Sequence, residues 1–523
     1  MADWMWSALI AVPMVLAMAG GSGAEETDDE PKPAAEQPAF KSRQGTTHTV
    51  NGLSFRATAA ELDMKDDAGV TRGTIFFTYY AALDGDGKPL HESQPRPITY
   101  VFNGGPGAAS VWLHLGTAGP FRVDLPDDGT PPAPPSTVVE NEASWLPATD
   151  LCFIDPVGTG FSRAATKKVD KNKDGKQDPD AEVKDEGERF YGVEQDAKWV
   201  GEFIRLHCTR FARWDDPKFL AGESYGTTRA ARLAISLHDR FGLDVNGVIL
   251  ISTVLDFSTI REAANNPMPL VTFLPTYAAT AAFHGKVDMT PEAARKAAEA
   301  FAVERYLPAL VRGQSLDEEG RRAIAEEYAT LTGLDADFVM INDLRVGPFR
   351  FMKRLLADER KIVGRMDGRL TGHDRDPAAA EPSTDPSLGG YYGLYAGAFN
   401  DYVRSKLGFE SDLAYEVLSR RTRPWAATND SMRSYSGGYL NVADDLERAL
   451  NEIPGIRLFL ANGIYDLATP WYGADYTIDQ LDVPPEVRER ITESYYAGGH
   501  MMYHVAEERV RIGEDIRQFI DAE

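Results

Sequence analysis

Ser224 stands at the centre of Gly222-Glu223-Ser224-Tyr225-Gly226, with an apolar run before it and helical spacing after it. A serine hydroxyl is a poor nucleophile at neutral pH. To transfer an acyl group it needs a base, an acid to orient that base, and donors for the oxyanion. The run at 219–221, then Gly-x-Ser-x-Gly, then RAARLAISLH at 229–238 predicts strand, sharp turn and helix, the geometry of a nucleophile elbow. A β-carbon at Gly222 or Gly226 would crowd the neighbouring backbone in so tight a turn. The following helix turns its amino end, with free N–H groups, toward an oxyanion forming beside Ser224. Glycine and serine are common, so the pentapeptide gains its meaning from its partners.

Those partners can be sought in the chain order Ser, Asp, His. Of nine histidines, His500 lies in a glycine-led loop, Ala497-Gly498-Gly499-His500-Met501, directly before a terminal amphipathic helix. His504, four residues on, is expected to face elsewhere on that helix. Asp466 falls just beyond the last long apolar run at 457–461, where loops at strand carboxyl ends hold the sites of such sheets. The same position suits an ordinary turn-capping aspartate. Asn103-Gly104-Gly105-Pro106-Gly107 follows the apolar run at 98–102 and offers backbone N–H groups for an oxyanion. No Lys-Ser/Thr pair follows it, so it is not a phosphate loop.

These residues need a scaffold that brings distant loops to one end. Short buried-strand runs at 98–102, 151–154, 218–221, 248–252 and 457–461 alternate with helical patterns, which predicts a mostly parallel sheet covered on both faces. Val200, Phe203, Ile204, Cys208 and Phe211 form one apolar stripe, and Ile512, Ile516, Phe519 and Ile520 another. Alternating residues from 46 to 82 around Asp66-Asp67-Ala68-Gly69 predict an antiparallel hairpin lead-in. From about 256 to 428 the strand signal vanishes. Thr290-Pro291 opens a helix there, Ser315 with Glu318 predicts a capping box for the next, and the whole reads as a helical cap inserted between residues 45–255 and 429–523. Within it, 364–369 (GRMDGR) reads as a solvated charge run rather than a substrate contact.

The formal charge of −25 repels phosphate backbones and anionic lipid, which argues against nucleic acid or membrane surfaces as partners. Cys152 and Cys208 are too few for a disulfide framework and read as buried thiols. Residues 1–19 read as an export signal ending in Ala17-Met18-Ala19, although Asp3 stands where basic residues are expected, and no stable membrane span is expected. Residues 20–44 are an acidic, Pro-rich spacer. Asp170, Asn172, Asp174 and Asp178 have the spacing that begins a calcium loop, but Ala181 occupies the position of the bidentate carboxylate, which favours a hydrophilic surface loop.

Five blocks in order carry a resemblance: Asn103-Gly-Gly-Pro-Gly107, Asn141-x-x-Ser144-Trp145, Ile154-Asp-Pro-Val-Gly-Thr-Gly-Phe-Ser162, Gly222-Glu-Ser-Tyr-Gly226 and Gly499-His500-Met501. Together they resemble the serine carboxypeptidases, and most of all the family's exported bacterial branch. The resemblance implies an α/β-hydrolase fold and a Ser224, Asp466, His500 triad. It also implies an oxyanion hole from the N–H groups of Gly105 and Tyr225, with Asn103, Gly104 and Glu223 binding the substrate's terminal carboxylate. Glu223 can donate to a carboxylate only when protonated, so its pKa must be raised. Thr117 stands where eukaryotic members have a second glutamate, and Ala108 where they have a cysteine. The expectation is an exported, periplasmic or secreted carboxypeptidase that acts on peptides without a cofactor. An esterase or acyltransferase on the same site is the alternative, and a catalytically silent binding protein a more distant one.

Overall fold

The computed structural model describes residues 45–169, 182–427 and 438–522. The proposed signal, the spacer and the Asp170, Asn172, Asp174 and Asp178 loop lie outside them. The main sheet has ten strands. In chain order these are β1 (Thr46–Val50), β2 (Leu53–Lys65), β3 (Thr71–Ala82), β4 (Ile98–Phe102), β5 (Asp150–Ile154), β6 (Arg163–Ala164), β7 (Lys218–Glu223), β8 (Gly247–Ile251), β9 (Arg457–Gly463) and β10 (Ile491–Tyr496). Their spatial order is β1-β2-β3-β5-β4-β7-β8-β9-β10, with β6 beside β3. The first three strands and the β3–β5 pair are antiparallel, and from β5 through β10 every pair is parallel. An antiparallel lead-in, a crossover at β4 and β5, and a parallel run make this an α/β-hydrolase sheet.

The central parallel strands β4, β7 and β8 are buried along their length because helices cover both faces, as continuous apolar runs require. On one face pack α1 (Val193–Arg210) and α2 (Tyr225–Phe241) through Val200, Phe203, Ile204, Cys208, Leu233 and Leu237. On the other lies the terminal helix Ala506–Asp521, through Ile512, Ile516, Phe519 and Ile520. Both cysteines are free and buried.

Between β8 and β9 the chain builds mainly helices: Ala443–Glu452 packs beside α2 through Leu446, Ala449 and Leu450, and those before it go to two places. Helices Met268–Phe283, Pro291–Phe301 and Glu318–Thr332 bury Leu274, Tyr277, Ala298, Tyr328, Phe351 and Val363 in a core of their own. Leu467, the neighbour of Asp466, inserts into that core. Helix Pro386–Ser405 instead joins the core of the main sheet through Tyr395, Phe399 and Tyr402. Thr290 caps its helix by accepting from Ala293 N. The next cap is Asp317, which accepts from Gly320 N, and not Ser315, whose hydroxyl donates back to the Arg312 carbonyl. An Asp two residues later gives the same N-cap chemistry with a charge-assisted acceptor. The strand-free expectation also needs one correction, since Lys361–Val363 pairs with Thr371–His373.

Candidate active site

Strand β7 ends in Glu223, Ser224 takes φ 61° and ψ −127°, and α2 begins at Tyr225. A positive φ at a non-glycine residue is strained, and strain of this kind persists where the surroundings over-determine it. Here the N–H of Ser224 donates to the Ile251 carbonyl at the end of β8 (3.0 Å), and Thr227 Oγ1 donates to the Ser224 carbonyl (2.7 Å). A Cβ at Gly222 would collide with the Gly226 carbonyl, so the turn closes only with glycine there. Ser224 is partly exposed.

Asp466 follows β9 and is fully buried. Its Oδ1 accepts from Ala468 N (2.7 Å) and Thr469 N (3.0 Å), and its Oδ2 from Thr469 Oγ1 (2.8 Å). It is thus a turn-capping aspartate, and it does more. Oδ2 also meets Nδ1 of His500 at 2.7 Å. Burial opposes the imidazolium, but the Asp466 charge and its hydrogen bond outweigh that and lift the His500 pKa above its ordinary value. With Nδ1 engaged, Nε2 is left facing away from the acid, and it has no hydrogen bond among the described residues. Nor has Ser224 Oγ, so the serine–histidine leg is open here. Such legs commonly tighten only when substrate is bound. Ser252 Oγ, just past the strand whose end holds Ser224 N, donates to the His500 carbonyl at 2.6 Å and ties the two loops together.

The glycine loop after β4 lies against the elbow, and a Cβ at Gly104 would collide with Tyr225 N. The Tyr225 N–H opens α2 and so has no acceptor within its own helix. Gly105 is exposed with φ +101°. Asn103 and Glu223 are buried and in contact, with Asn103 Nδ2 donating to Glu223 Oε1 at 3.0 Å. Asn103 Oδ1 accepts from Leu113 N (3.1 Å), which fixes the amide's orientation. Burial, aided by the Asp466 charge, raises the Glu223 pKa to about 7 against the opposing pull of His500, Tyr503 and Asn103. Thr117 is wholly buried, its Oγ1 unpartnered among the described residues, and it gives Glu223 no hydrogen bond.

Sequence reasoning missed four contributors. Thr469 braces the Asp466 carboxylate. Arg229 on α2 donates to the Asn103 carbonyl (2.6 Å) while paired with buried Asp196 (2.6 Å). Tyr503 donates to Glu223 Oε2 at 2.6 Å. His504 is not one of them: it lies not on the terminal helix, as its spacing suggests, but in the turn Met502–His504 before it, buried against Tyr391 and Tyr395.

The fourth is the 364–369 run, which is no solvated stretch. The Met366 carbonyl accepts His500 N–H, the Arg365 carbonyl accepts Leu467 N–H (3.0 Å), and the Tyr465 carbonyl accepts Gly368 N–H (2.9 Å). Asp367 Oδ2 accepts Gly499 N–H (3.2 Å), and Arg369, paired with Asp367, donates to the Ala497 carbonyl (2.8 Å). Two glycines around charged residues signalled a turn, but nothing in the sequence said what that turn touches.

An elbow serine on an α/β-hydrolase sheet defines a serine hydrolase. Over residues 70–257 the chain matches the family model described as serine carboxypeptidase. It is 40% identical over 102 residues to the pheromone-processing carboxypeptidase KEX1 of Saccharomyces cerevisiae, covering 19% of this chain and 12% of that one. It is 27% identical over 169 residues to serine carboxypeptidase-like 33 of Arabidopsis thaliana, covering 32% and 29%. The chain thus spans a minor part of the length of these relatives. Among solved structures it is similar to a proline iminopeptidase of Mycobacterium smegmatis, with TM-score 0.34, 13% identity, and 88% and 97% of the two chains covered. A thermostable carboxyl esterase of Bacillus coagulans gives TM-score 0.36 and 14% identity, with 88% and 98% covered. No helix among the described residues is long and apolar enough to cross a membrane.

Proposed function

We propose that this chain is an exported serine-type carboxypeptidase, which releases C-terminal residues from peptides through an acyl-enzyme on Ser224. The observation that carries the reading is the pairing of His500 Nδ1 with buried Asp466 beside an elbow serine whose neighbour, Glu223, is buried against Asn103. In this mechanism Ser224 Oγ attacks the scissile carbonyl carbon and gives its proton to His500 Nε2. Asp466 holds the tautomer and steadies the imidazolium. The N–H groups of Tyr225 and Gly105 receive the oxyanion. As the C–N bond breaks, His500 returns the proton to the leaving amine. Water then attacks the acyl-enzyme by the same base, regenerating Ser224.

A terminal carboxylate is read by Asn103, the backbone at Gly104, and Glu223 as a neutral donor. The raised Glu223 pKa supports that role, because an ionised glutamate would repel the ligand. The helices of 256–428 serve as a cap over this end of the sheet. The alternative, an esterase or acyltransferase, is favoured by one observation: among the described residues the side chains that hydrogen-bond Glu223 are Asn103 and Tyr503 and no second carboxyl, while buried Thr117 leaves its Oγ1 unpartnered. A blocked dipeptide compared with its C-terminal amide and its ester decides between them. The carboxypeptidase reading expects the free acid to be cleaved far faster than the amide, and equal turnover of the two overturns it.

A further inference from the structure

The Glu223 carboxyl is approached by two neutral donors, one on each oxygen: Asn103 Nδ2 on Oε1 at 3.0 Å and the Tyr503 hydroxyl on Oε2 at 2.6 Å. Tyr503 is fully buried, and its ring is set edge-on to His504, with centroids 5.3 Å apart. The backbone of the turn before Gly119 closes over it, since a Cβ at Gly116 would strike the tyrosine ring. The hydroxyl therefore has one place to donate. Burial pushes its own pKa well above the ordinary phenol range, so it stays a donor at every working pH.

We propose that Tyr503 is a positioning residue for carboxylate recognition, which holds Glu223 by one oxygen so that the glutamic acid proton is left to meet the terminal carboxylate of a peptide. The inference rests on the reading of the site as a carboxypeptidase's. A carboxyl group has about four lone-pair directions. The two donors use two, and a proton can occupy one that remains. Both donors favour the ionised form and so oppose the burial that disfavours it. The other titratable groups acting on Glu223 are His500 and Asp466 across the site and Tyr395 on helix Pro386–Ser405. Histidinium works with Tyr503 and the Asp466 charge against it. Removing the Tyr503 hydroxyl takes away one donor that helps Glu223 ionise, so the acid form survives to higher pH. Simple structural damage would not produce a shift in that direction.

The test is kcat/KM against pH for the full chain and for Tyr503→Phe, with a blocked dipeptide free acid and its ester. For the free acid the proposal expects the alkaline fall to move up by about one pH unit, the size of a hydrogen bond to a charged group. It also expects KM to rise more than kcat falls, and the ester profile to stay where it was. In a Glu223→Gln background the same substitution should move nothing. The rate of fluorophosphonate labelling of Ser224, unchanged in Tyr503→Phe, shows the elbow intact. An alkaline limb that stays put or moves down overturns the role of Tyr503. Wild-type enzyme that cleaves the C-terminal amide as readily as the acid overturns the carboxypeptidase reading instead, so the two failures are distinct.

Discussion

The carbonyl of Met366 accepts the backbone N–H of His500, which joins the helical insertion to the base of the candidate site. Asp367 extends the join by accepting from Gly499 N–H and pairing with Arg369, whose guanidinium reaches the Ala497 carbonyl. A backbone loop led by two glycines would otherwise be free to sample many conformations. The insertion removes that freedom.

Asp367→Ala should therefore loosen the histidine loop without touching the side chains of Ser224, Asp466 and His500. Loss of two charge-assisted contacts is expected to lower stability by roughly 1–3 kcal/mol. Turnover of an ester should fall by about tenfold with little change in KM. Thermal unfolding and steady-state kinetics check it. Wild-type turnover in this variant would mean the clamp is decorative.

Ser224→Ala should abolish fluorophosphonate labelling and lower turnover by several powers of ten. Asp466→Asn should lower kcat by about 10⁴, because the amide favours the wrong imidazole tautomer. Mass spectrometry of the labelled protein locates the adduct, and labelling at any residue other than Ser224 sinks the assignment.

The raised Glu223 pKa has a sign that can be followed in stability. The folded state holds this proton up to about 7, whereas an unfolded glutamate releases it near its ordinary value of 4.5. Between those values the folded state binds more protons, so stability falls as pH rises through the window, by up to about 3 kcal/mol in all. Glu223→Gln should thus gain stability relative to wild type at pH 8 and show little difference at pH 4. Denaturant titrations at the two values test it. A gain at low pH alone would be the wrong sign.

Arg229 is buried with Asp196 and also holds the Asn103 carbonyl. Arg229→Met leaves a buried carboxylate without its partner, at an expected cost of about 3–5 kcal/mol. Adding Asp196→Asn should recover part of that loss, but not the affinity for free-acid peptides, since the Asn103 backbone remains unheld. Full recovery of KM in the double variant would show that Arg229 acts on stability alone.

What could be read beforehand follows the length scale of each signal. The elbow and the strands Ile98–Phe102, Asp150–Ile154 and Lys218–Glu223 are written in local composition, as apolar runs that give way to polar and glycine-bearing loops. Asp466 and His500 could be found because loops after strands are few. Strand β10 was not seen, because ITESYY on the sheet's edge is only partly buried and lacks a continuous apolar run. The cap at Asp317 was placed at Ser315 because both residues suit the role and only the backbone decides between them. Tyr503, Arg229 and the 364–369 turn act across separations of 280, 126 and 132 residues in their contacts with Glu223, Asn103 and Gly499. No local pattern encodes such meetings. They arise only when the sheet brings its loops to one end.

The stitching of 364–369 to the loops of Asp466 and His500 means the helical segment is no detachable accessory. Shortening the gene to the sheet alone would unmoor His500, and a protease nick near Met366 would silence the proposed hydrolase while leaving Ser224 in place. Any widening of the entrance for bulky ligands must hinge elsewhere, around a seam that keeps this turn seated.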